Sequence, residues 1–510
     1  MFKNEVAEFI YKRTYSRWID EDKRREEWPE TIERFLDFIY SERPEIPEKT
    51  VNKIRKYMKE FGVMPSMRFL WAAGPAAKFD NTCIYNCSFT KINCVEAFAE
   101  CLYILMCGTG FGFSVEKEEV DKLPDIPEIK SGRALDKIPI FDSKAGWSDS
   151  VKMLMQNLYD GQNIHFDYSQ IRPEGARLRT MGGRASGPAP LIKLHDFIRE
   201  TMHNAQGRKL TTLEAHDICN QIAEIVVVGG VRRSSQISLS GLDDEDMRHA
   251  KEWPFPIKRA MANNSAIYRE KPSAGQFLKE WAELALSGTG ERGIFNLQAA
   301  QSKAPSRRYA PLIQGTNPCG EIMLRDMEFC NLSEVVVRAE DNLDTLLDKV
   351  ETATWLGVIQ SSFTYFPYLR EGWKKNCDIE ALLGVSLTGQ MDNPTLMTSE
   401  ALKALKSRVL RISRKASSIL GTKMPAATTC VKPSGTVSQL VDSSSGVHPR
   451  WSEYYIRRYR IAARDPLFRL MKKAGIKCNP ENGQTKKTAS TWVLEFPVKS
   501  PDNCITRKDV

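Results

Sequence analysis

From about residue 80 onward, short apolar runs alternate with stretches of helical periodicity, and that alternation restricts the chain to an α/β architecture. SSQISLS at 234–240 and WVLEFPV at 492–498 read as strands, whereas DTLLDKVETATWLGVI at 344–359 reads as a helix. Residues 1 to about 70 differ and read as helical. In TVNKIRKYMKEFG the apolar positions Val51, Ile54, Met58 and Phe61 follow helical spacing; Thr50 is the expected N-cap and Gly62 the expected stop. No internal repeat or low-complexity tract interrupts the pattern.

The length, 510 residues, suits several ordinary domains or one large barrel with insertions. The longest mainly apolar stretch, Ile222 to Val231, is about half of the ~20 residues a membrane span needs. The N-terminus, MFKNEVAEFIYKRTYSRW, lacks the apolar core of a secretion signal, so a cytoplasmic protein with no membrane partner is expected. A net charge of +9 suits an anionic ligand, nucleotide or nucleic acid. The basic residues are scattered rather than blocked, so no nucleic-acid footprint stands out. The chain has 12 cysteines but no CxxC pair and no Cys/His cluster at zinc spacing, so neither a structural metal nor a disulfide framework is expected. His448 and His165 have no partner at ligand spacing and read as structural.

GTNPCGEIMLRDMEFCNLSEV, residues 315–335, concentrates reactive side chains. Cys319 sits between Pro318 and Gly320, with Asn317 two residues before it and Glu321 two after. Alternating positions of an extended segment project to one side, so an amide, a thiol and a carboxylate could converge on one small substrate. The same residues also suit a turn holding a buried structural cysteine, with Glu321 solvated. Four glycine-rich segments, GTGFGF at 108–113, GGRASGP at 182–188, GTGERG at 288–293 and PSGT at 433–436, are either ligand loops or ordinary turns. GTGFGF lacks the acidic partner of a dinucleotide-binding fingerprint.

Taken together, these segments resemble the ribonucleotide reductases. Asn317-Pro318-Cys319-Gly320-Glu321 is similar to that family's finger loop, in which Asn-x-Cys-x-Glu carries the radical cysteine. Cys330 in FCNL and Cys87 in YNCSF match its redox pair, and Pro433-Ser434-Gly435-Thr436 matches its substrate-phosphate loop. DYSQIRPEGARLRTMGGRASGP at 167–188 and SSSGVHPRWSEYYIRR at 443–458 are similar to the adenosylcobalamin-dependent class II branch, in its monomeric ribonucleoside-triphosphate form. The Asp-x-His-x-x-Gly cobalamin pattern is absent, as in class II enzymes.

The resemblance implies a ten-stranded α/β barrel with a central finger loop, spanning residues 76–510 after a helical region at 1–75. An effector-site insertion is expected within 120–205. It implies that an adenosylcobalamin-derived radical takes the hydrogen atom of Cys319. The thiyl would remove the ribose 3′-hydrogen, Glu321 would act as general base and Asn317 would orient the ribose. Cys87 and Cys330 would supply two electrons and close into a disulfide. Ser434, Gly435 and Thr436 would bind the substrate phosphates, and Gly183, Arg184 and Ser186 would belong to the effector loop. The implied partners are a ribonucleoside triphosphate, a dNTP effector, thioredoxin or a similar dithiol, and a C-terminal complementary fragment, because relatives continue past the point where this chain ends. Whether the last barrel elements are missing stays open. So do two alternatives, the large subunit of a class I enzyme and an N-terminal part of a split reductase.

Overall fold

The computed structural model describes residues 2–130, 137–176, 184–228 and 235–510, with residue 228 by its backbone alone. Three helices open the chain: α1 (Glu5–Thr14), α2 (Trp28–Glu42) and α3 (Glu48–Lys59). The Asn4 side chain accepts the Ala7 N–H at 2.9 Å, and Glu27 and Glu30 form a reciprocal capping box on α2. Helix α3 departs from expectation at both ends. It begins after Pro47, so Thr50 lies within it instead of capping it, and the left-handed residue beyond its end is Phe61 (φ 53), not Gly62. The Phe61 ring stacks on Trp28 at 5.0 Å, and that buried contact offsets a conformation glycine would adopt freely.

After β1 (Val63–Pro65) come β2 (Cys87–Lys91), α4 (Val95–Met106) and β3 (Gly110–Ser114). Helices α5 (Lys144–Tyr159), α6 (Ala189–Asn204) and α7 (Thr212–Val228) precede β4 (Gln236–Gly241), β5 (Ala262–Tyr268), α8 (Ala274–Leu286) and β6 (Gly293–Asn296). Strands β2 to β6 lie side by side in chain order, each parallel to its neighbour. Side chains alternate across this wall. Phe111 and Phe113 join the main core on the helical side, whereas Cys87, Phe89, Ile237 and Leu239 enter a second apolar cluster on the other side.

A short antiparallel hairpin, β7 (Gly315–Thr316) and β8 (Met323–Leu324), rises next. Then β9 (Glu328–Phe329) pairs antiparallel with β2, and the chain runs on to β10 (Ser333–Val336). Helices α9 (Leu343–Ser361) and α10 (Glu371–Glu380) lead to β11 (Val385–Thr388), which lies parallel to β10, while β1 lies antiparallel on β10's other side. Helix α11 (Ser399–Leu420) packs on α9, and Thr429 bridges to Val385 before α12 (Gly435–Leu440). A separate antiparallel sheet, in the order β12 (Tyr454–Ala462), β14 (Thr491–Lys499), β13 (Cys478–Pro480), closes the described chain.

The α/β class expected from the alternation is the class observed. The second apolar cluster also takes Leu332, Leu382 and Ala426 from the β10–β11 side, and Ile313, Ile322 and Leu324 from the hairpin, so the hairpin stands in an interior shared by both walls. A closed ring of ten strands is not present among the described residues: β6 has a ladder partner on one side only. Among the same residues no helix is long and apolar enough to cross a membrane.

Candidate active site

Glycine lets the hairpin enter this interior. A Cβ on Gly112 would stand 2.5 Å from the Thr316 carbonyl oxygen, and one on Gly315 would stand 2.2 Å from the Phe89 ring. A Cβ on Gly110 would meet Cys87 Sγ at 3.1 Å and Pro318 at 3.3 Å. The GTGFGF segment is therefore the floor on which the loop rests, because Gly110 and Gly112 face it from alternate positions of β3.

The loop tip is held by its own polar groups. The Asn317 N–H donates to the Ile322 carbonyl at 3.1 Å, and the Gly320 N–H donates to the Asn317 carbonyl at 2.9 Å. The turn requires Gly320 at φ 84. The Asn317 amide oxygen accepts the Ile322 N–H at 3.0 Å, and its Nδ2 donates to Glu321 Oε2 at 2.8 Å. Asn317 is thus fully buried and braces the loop, fixing the half-buried Glu321 carboxylate.

The tip carries Cys319, an exposed residue. Its sulfur interacts with that of Cys87 at the start of β2, and Cys87 in turn interacts with the fully buried Cys330. Continuing the β2–β9 register places Cys330 opposite Cys87, and the Cys330 N–H donates to the Cys87 carbonyl at 2.9 Å. Directly opposed antiparallel residues have Cα atoms about 4.5–5.5 Å apart, within the range a disulfide spans. The electrostatics keep the Cys319 and Cys87 sulfurs protonated. The hydrogen bond with Cys87, then burial, raise the Cys319 thiol far above its ordinary value. The Cys319 contact favours a Cys87 thiolate, but the contact with Cys330 and burial outweigh it and push that thiol well up as well.

The segment Pro433–Thr436 lies at the N-terminus of α12. Here the structure narrows the expectation: the Ser434 hydroxyl is buried and donates to Glu334 of β10, whose other oxygen is ion-paired with Lys432. Burial disfavours the Lys432 charge, but the Glu334 carboxylate outweighs that and raises its pKa. Gly435, at φ 51, faces open space, and the Thr436 hydroxyl lies 3.4 Å from Tyr15 Oη of the residue ending α1. Arg184 is exposed and donates to the Gly175 carbonyl at 2.9 Å, and Ser186 is half-buried; Gly183 lies outside the described residues. His448 Nδ1 donates to the Ser445 carbonyl at 2.9 Å, and His165 opens a short strand paired with Lys137–Pro139.

Several neighbours of this site escaped the sequence reading. Cys430 is half-buried, and its thiol is raised by burial and then by the Glu321 carboxylate. Lys432 and Glu334 tie the phosphate-type loop to the second wall. Only Lys432 had a signal, its place two residues before Ser434.

Similarity to known proteins runs along nearly the whole chain. The ribonucleotide reductase alpha-domain family model matches residues 1–74, and the model of the B12-dependent ribonucleotide reductase insertion domain matches residues 115–202. The adenosylcobalamin-dependent ribonucleoside-triphosphate reductase of Levilactobacillus brevis is 27% identical over 97% of this chain and 79% of its own length. That of Lactobacillus gasseri is 28% identical over 97% of this chain and 80% of its own. The chain is a homologue of the class II ribonucleotide reductases. A crystal structure of a B12-dependent class II ribonucleotide reductase shares the fold at a TM-score of 0.84, with 24% identity over 99% of this chain and 83% of that one. The Actinobacillus ureae class Id alpha subunit is more distant, with a TM-score of 0.57 and 13% identity over 92% of this chain and 79% of that one.

The cofactor of these class II relatives, adenosylcobalamin, needs a neutral S–H with room beside it. Cys319 meets both conditions: the residue is exposed at the loop tip, its thiol is held protonated, and a Cβ on the adjoining Gly320 would meet nothing within 4 Å. The residues present fit the group.

Proposed function

We propose that this protein reduces ribonucleoside triphosphates to 2′-deoxyribonucleotides through a thiyl radical at Cys319. The supporting observation is the meeting of three thiols and one carboxylate, contributed by β2, the hairpin tip and the segment after β9.

When bound, adenosylcobalamin supplies the hydrogen-atom acceptor from which this chemistry starts. Cys319 must hold a hydrogen atom to give up, so a thiol kept neutral by the Cys87 contact and burial is the required form. The Cys319 sulfur then removes the ribose 3′-hydrogen, and Glu321, positioned by Asn317, accepts the 3′-hydroxyl proton as general base. The two thiol hydrogens of Cys87 and Cys330 end on C2′ and in the water formed from the 2′-hydroxyl. The S–S bond that forms between them balances the two electrons taken up by the sugar. Cys319 returns the hydrogen to C3′.

With the Ser434 hydroxyl held by Glu334, phosphate recognition falls on the exposed Gly435 and on the Thr436 N–H and hydroxyl. A dNTP effector would bind the insertion, assigned to 120–205 within the 76–510 barrel, with Arg184 and Ser186 in the loop reading it. Re-reduction would come from thioredoxin or a similar dithiol in the cytoplasm, where free thiols persist.

The test is deoxynucleotide formation from each ribonucleoside triphosphate in the presence of adenosylcobalamin and a dithiol. Product is expected with both present and none without the cofactor. Product that requires a separate radical-generating protein instead of adenosylcobalamin would overturn the class II reading.

A further inference from the structure

Between β9 and α10 lies a small cavity, lined in part by Tyr85, Glu328, Asn331, Ser361 and Cys377. Two acceptor atoms on these lining residues, Glu328 Oε1 and Asn331 Oδ1, are fully buried and have no hydrogen-bond partner among the described residues. Buried acceptors without donors are rare and unfavourable. A second observation concerns how charge is shared around them. Two carboxylates, Glu328 and Glu380, face two guanidinium groups, Arg308 and Arg325. Glu380 receives the close contacts, Arg308 Nε at 2.6 Å and Arg325 Nη2 at 2.7 Å. Glu328 receives the Arg325 backbone N–H at 2.7 Å and Arg308 Nη2 at only 3.3 Å, both on Oε2. Oε1 is left without a donor. Of the two acids, Glu328 is the one built to carry a proton, because a proton on Oε1 turns an unserved acceptor into a donor.

We propose that Glu328 is the proton donor that serves the buried thiol pair, handing its Oε1 proton to the Cys330 sulfur each time the Cys87–Cys330 disulfide is opened. This rests on reading Cys87 and Cys330 as the redox pair. Glu328 and Cys330 are two residues apart on one extended segment, so their side chains share a face with Cα atoms ~7 Å apart. Burial, and then the neighbouring Glu380 carboxylate, raise Glu328 well above the usual carboxylate range, opposed by Arg308 and Arg325. Cys377 on α10 and Tyr85 before β2 complete the groups around the cavity. Both titrate well above their ordinary values, principally through burial, and do not compete for the proton at neutral pH.

The need for a donor follows from burial. Cys87 is slightly exposed and Cys330 is not at all, so an incoming thiolate attacks the Cys87 sulfur. The new S–S bond joins the reductant to Cys87, the old one breaks, and the electron pair leaves on Cys330 as a thiolate in an apolar interior. An unpaired buried charge is strongly unfavourable. Protonation by Glu328 gives the Cys330 thiol and a Glu328 carboxylate, which water reloads. The second thiol of the reductant then displaces Cys87, which takes up the other proton. Two protons leave the dithiol and two arrive on the pair.

The test needs neither cofactor nor turnover. The chain without cofactor is oxidised with a small disulfide, the Cys87–Cys330 bond is verified by peptide mapping, and its re-reduction by dithiothreitol is followed by alkylation from mildly acidic to alkaline pH. The Glu328→Gln variant should be slower than wild type by about tenfold or more at the acidic end. The gap should close as pH rises past the Glu328 pKa, where the wild-type acid is also spent. Glu328→Asp, which keeps the acid, should recover most of the rate. Equal rates for Glu328→Gln and wild type at every pH would overturn the proposal. So would a wild-type infrared spectrum at neutral pH without a protonated buried carboxyl band, a measurement that needs no variant to fold. Failure of the Cys87–Cys330 bond to form at all would instead strike the redox-pair reading beneath it.

Discussion

At the finger hairpin, Gly110, Gly112 and Gly315 bring backbone and rings so close that no Cβ fits, and the reactive sulfurs are held by contacts from separate stretches of chain. At the far edge of the same parallel wall, α8 leaves Phe277, Leu278 and Trp281 exposed beside β6, whose Ile294 is exposed too. Both regions are rich in apolar side chains. They differ in what position means: a shift of an ångström at the hairpin separates the thiols, whereas the α8 face touches little that the chain itself depends on. Exposed apolar side chains of this kind add little to a core.

The sharpest way to break this comparison is at Cys319. Cys319→Ser should abolish deoxynucleotide formation while nucleotide binding, measured by equilibrium dialysis, stays within a few-fold, because a hydroxyl does not form the required radical. Substantial product from this variant would remove the mechanism. Next, Gly112→Ala forces a methyl group against the Thr316 and Ser88 carbonyls and should cost roughly 1–3 kcal/mol in denaturant unfolding. It should also loosen the Cys87–Cys319 contact, read as faster alkylation of Cys87.

A smaller effect tests the helical layer behind the sheet. His216 bonds Ser238 of β4 at 2.9 Å, and His195 lies between Ser150 and Tyr168. Burial, with lesser help from nearby cations, lowers both to about 3. Both folded values lie below that of an unfolded histidine, near 6.5, so the stabilisation is complete above the unfolded value and is lost as pH falls toward 3. Between pH 7 and 5 each histidine should withdraw about 1–2 kcal/mol, and His216→Gln should flatten that part of the slope. Smallest of all, Trp281→Gln on α8 should change stability by less than about 0.5 kcal/mol. A larger loss would mean that this face is covered in solution and would narrow the contrast with the hairpin.

Much of this was legible beforehand, and unevenly so. The helix at Leu343–Ser361 and the strand at Thr491–Lys499 follow from periodicity, since each element buries one face and writes that face into its spacing. The end of α3 was misjudged because the left-handed residue is set by ring packing of Phe61 on Trp28, a contact between separate helices that local turn chemistry does not contain. Ser434 looked like a free hydroxyl in its tetrapeptide, but Glu334, a hundred residues earlier, occupies it.

The residue types alone determined the α/β class and singled out the Asn317–Glu321 loop proposed to carry the thiol chemistry, because periodicity and motif are properties of neighbours along the chain. Only the tertiary structure decided which sulfurs touch, that Asn317 braces Glu321, and that Glu328, two residues from Cys330, keeps an unserved oxygen. Protonation and contact depend on distance and burial, and those are set by segments that meet only when the chain has folded.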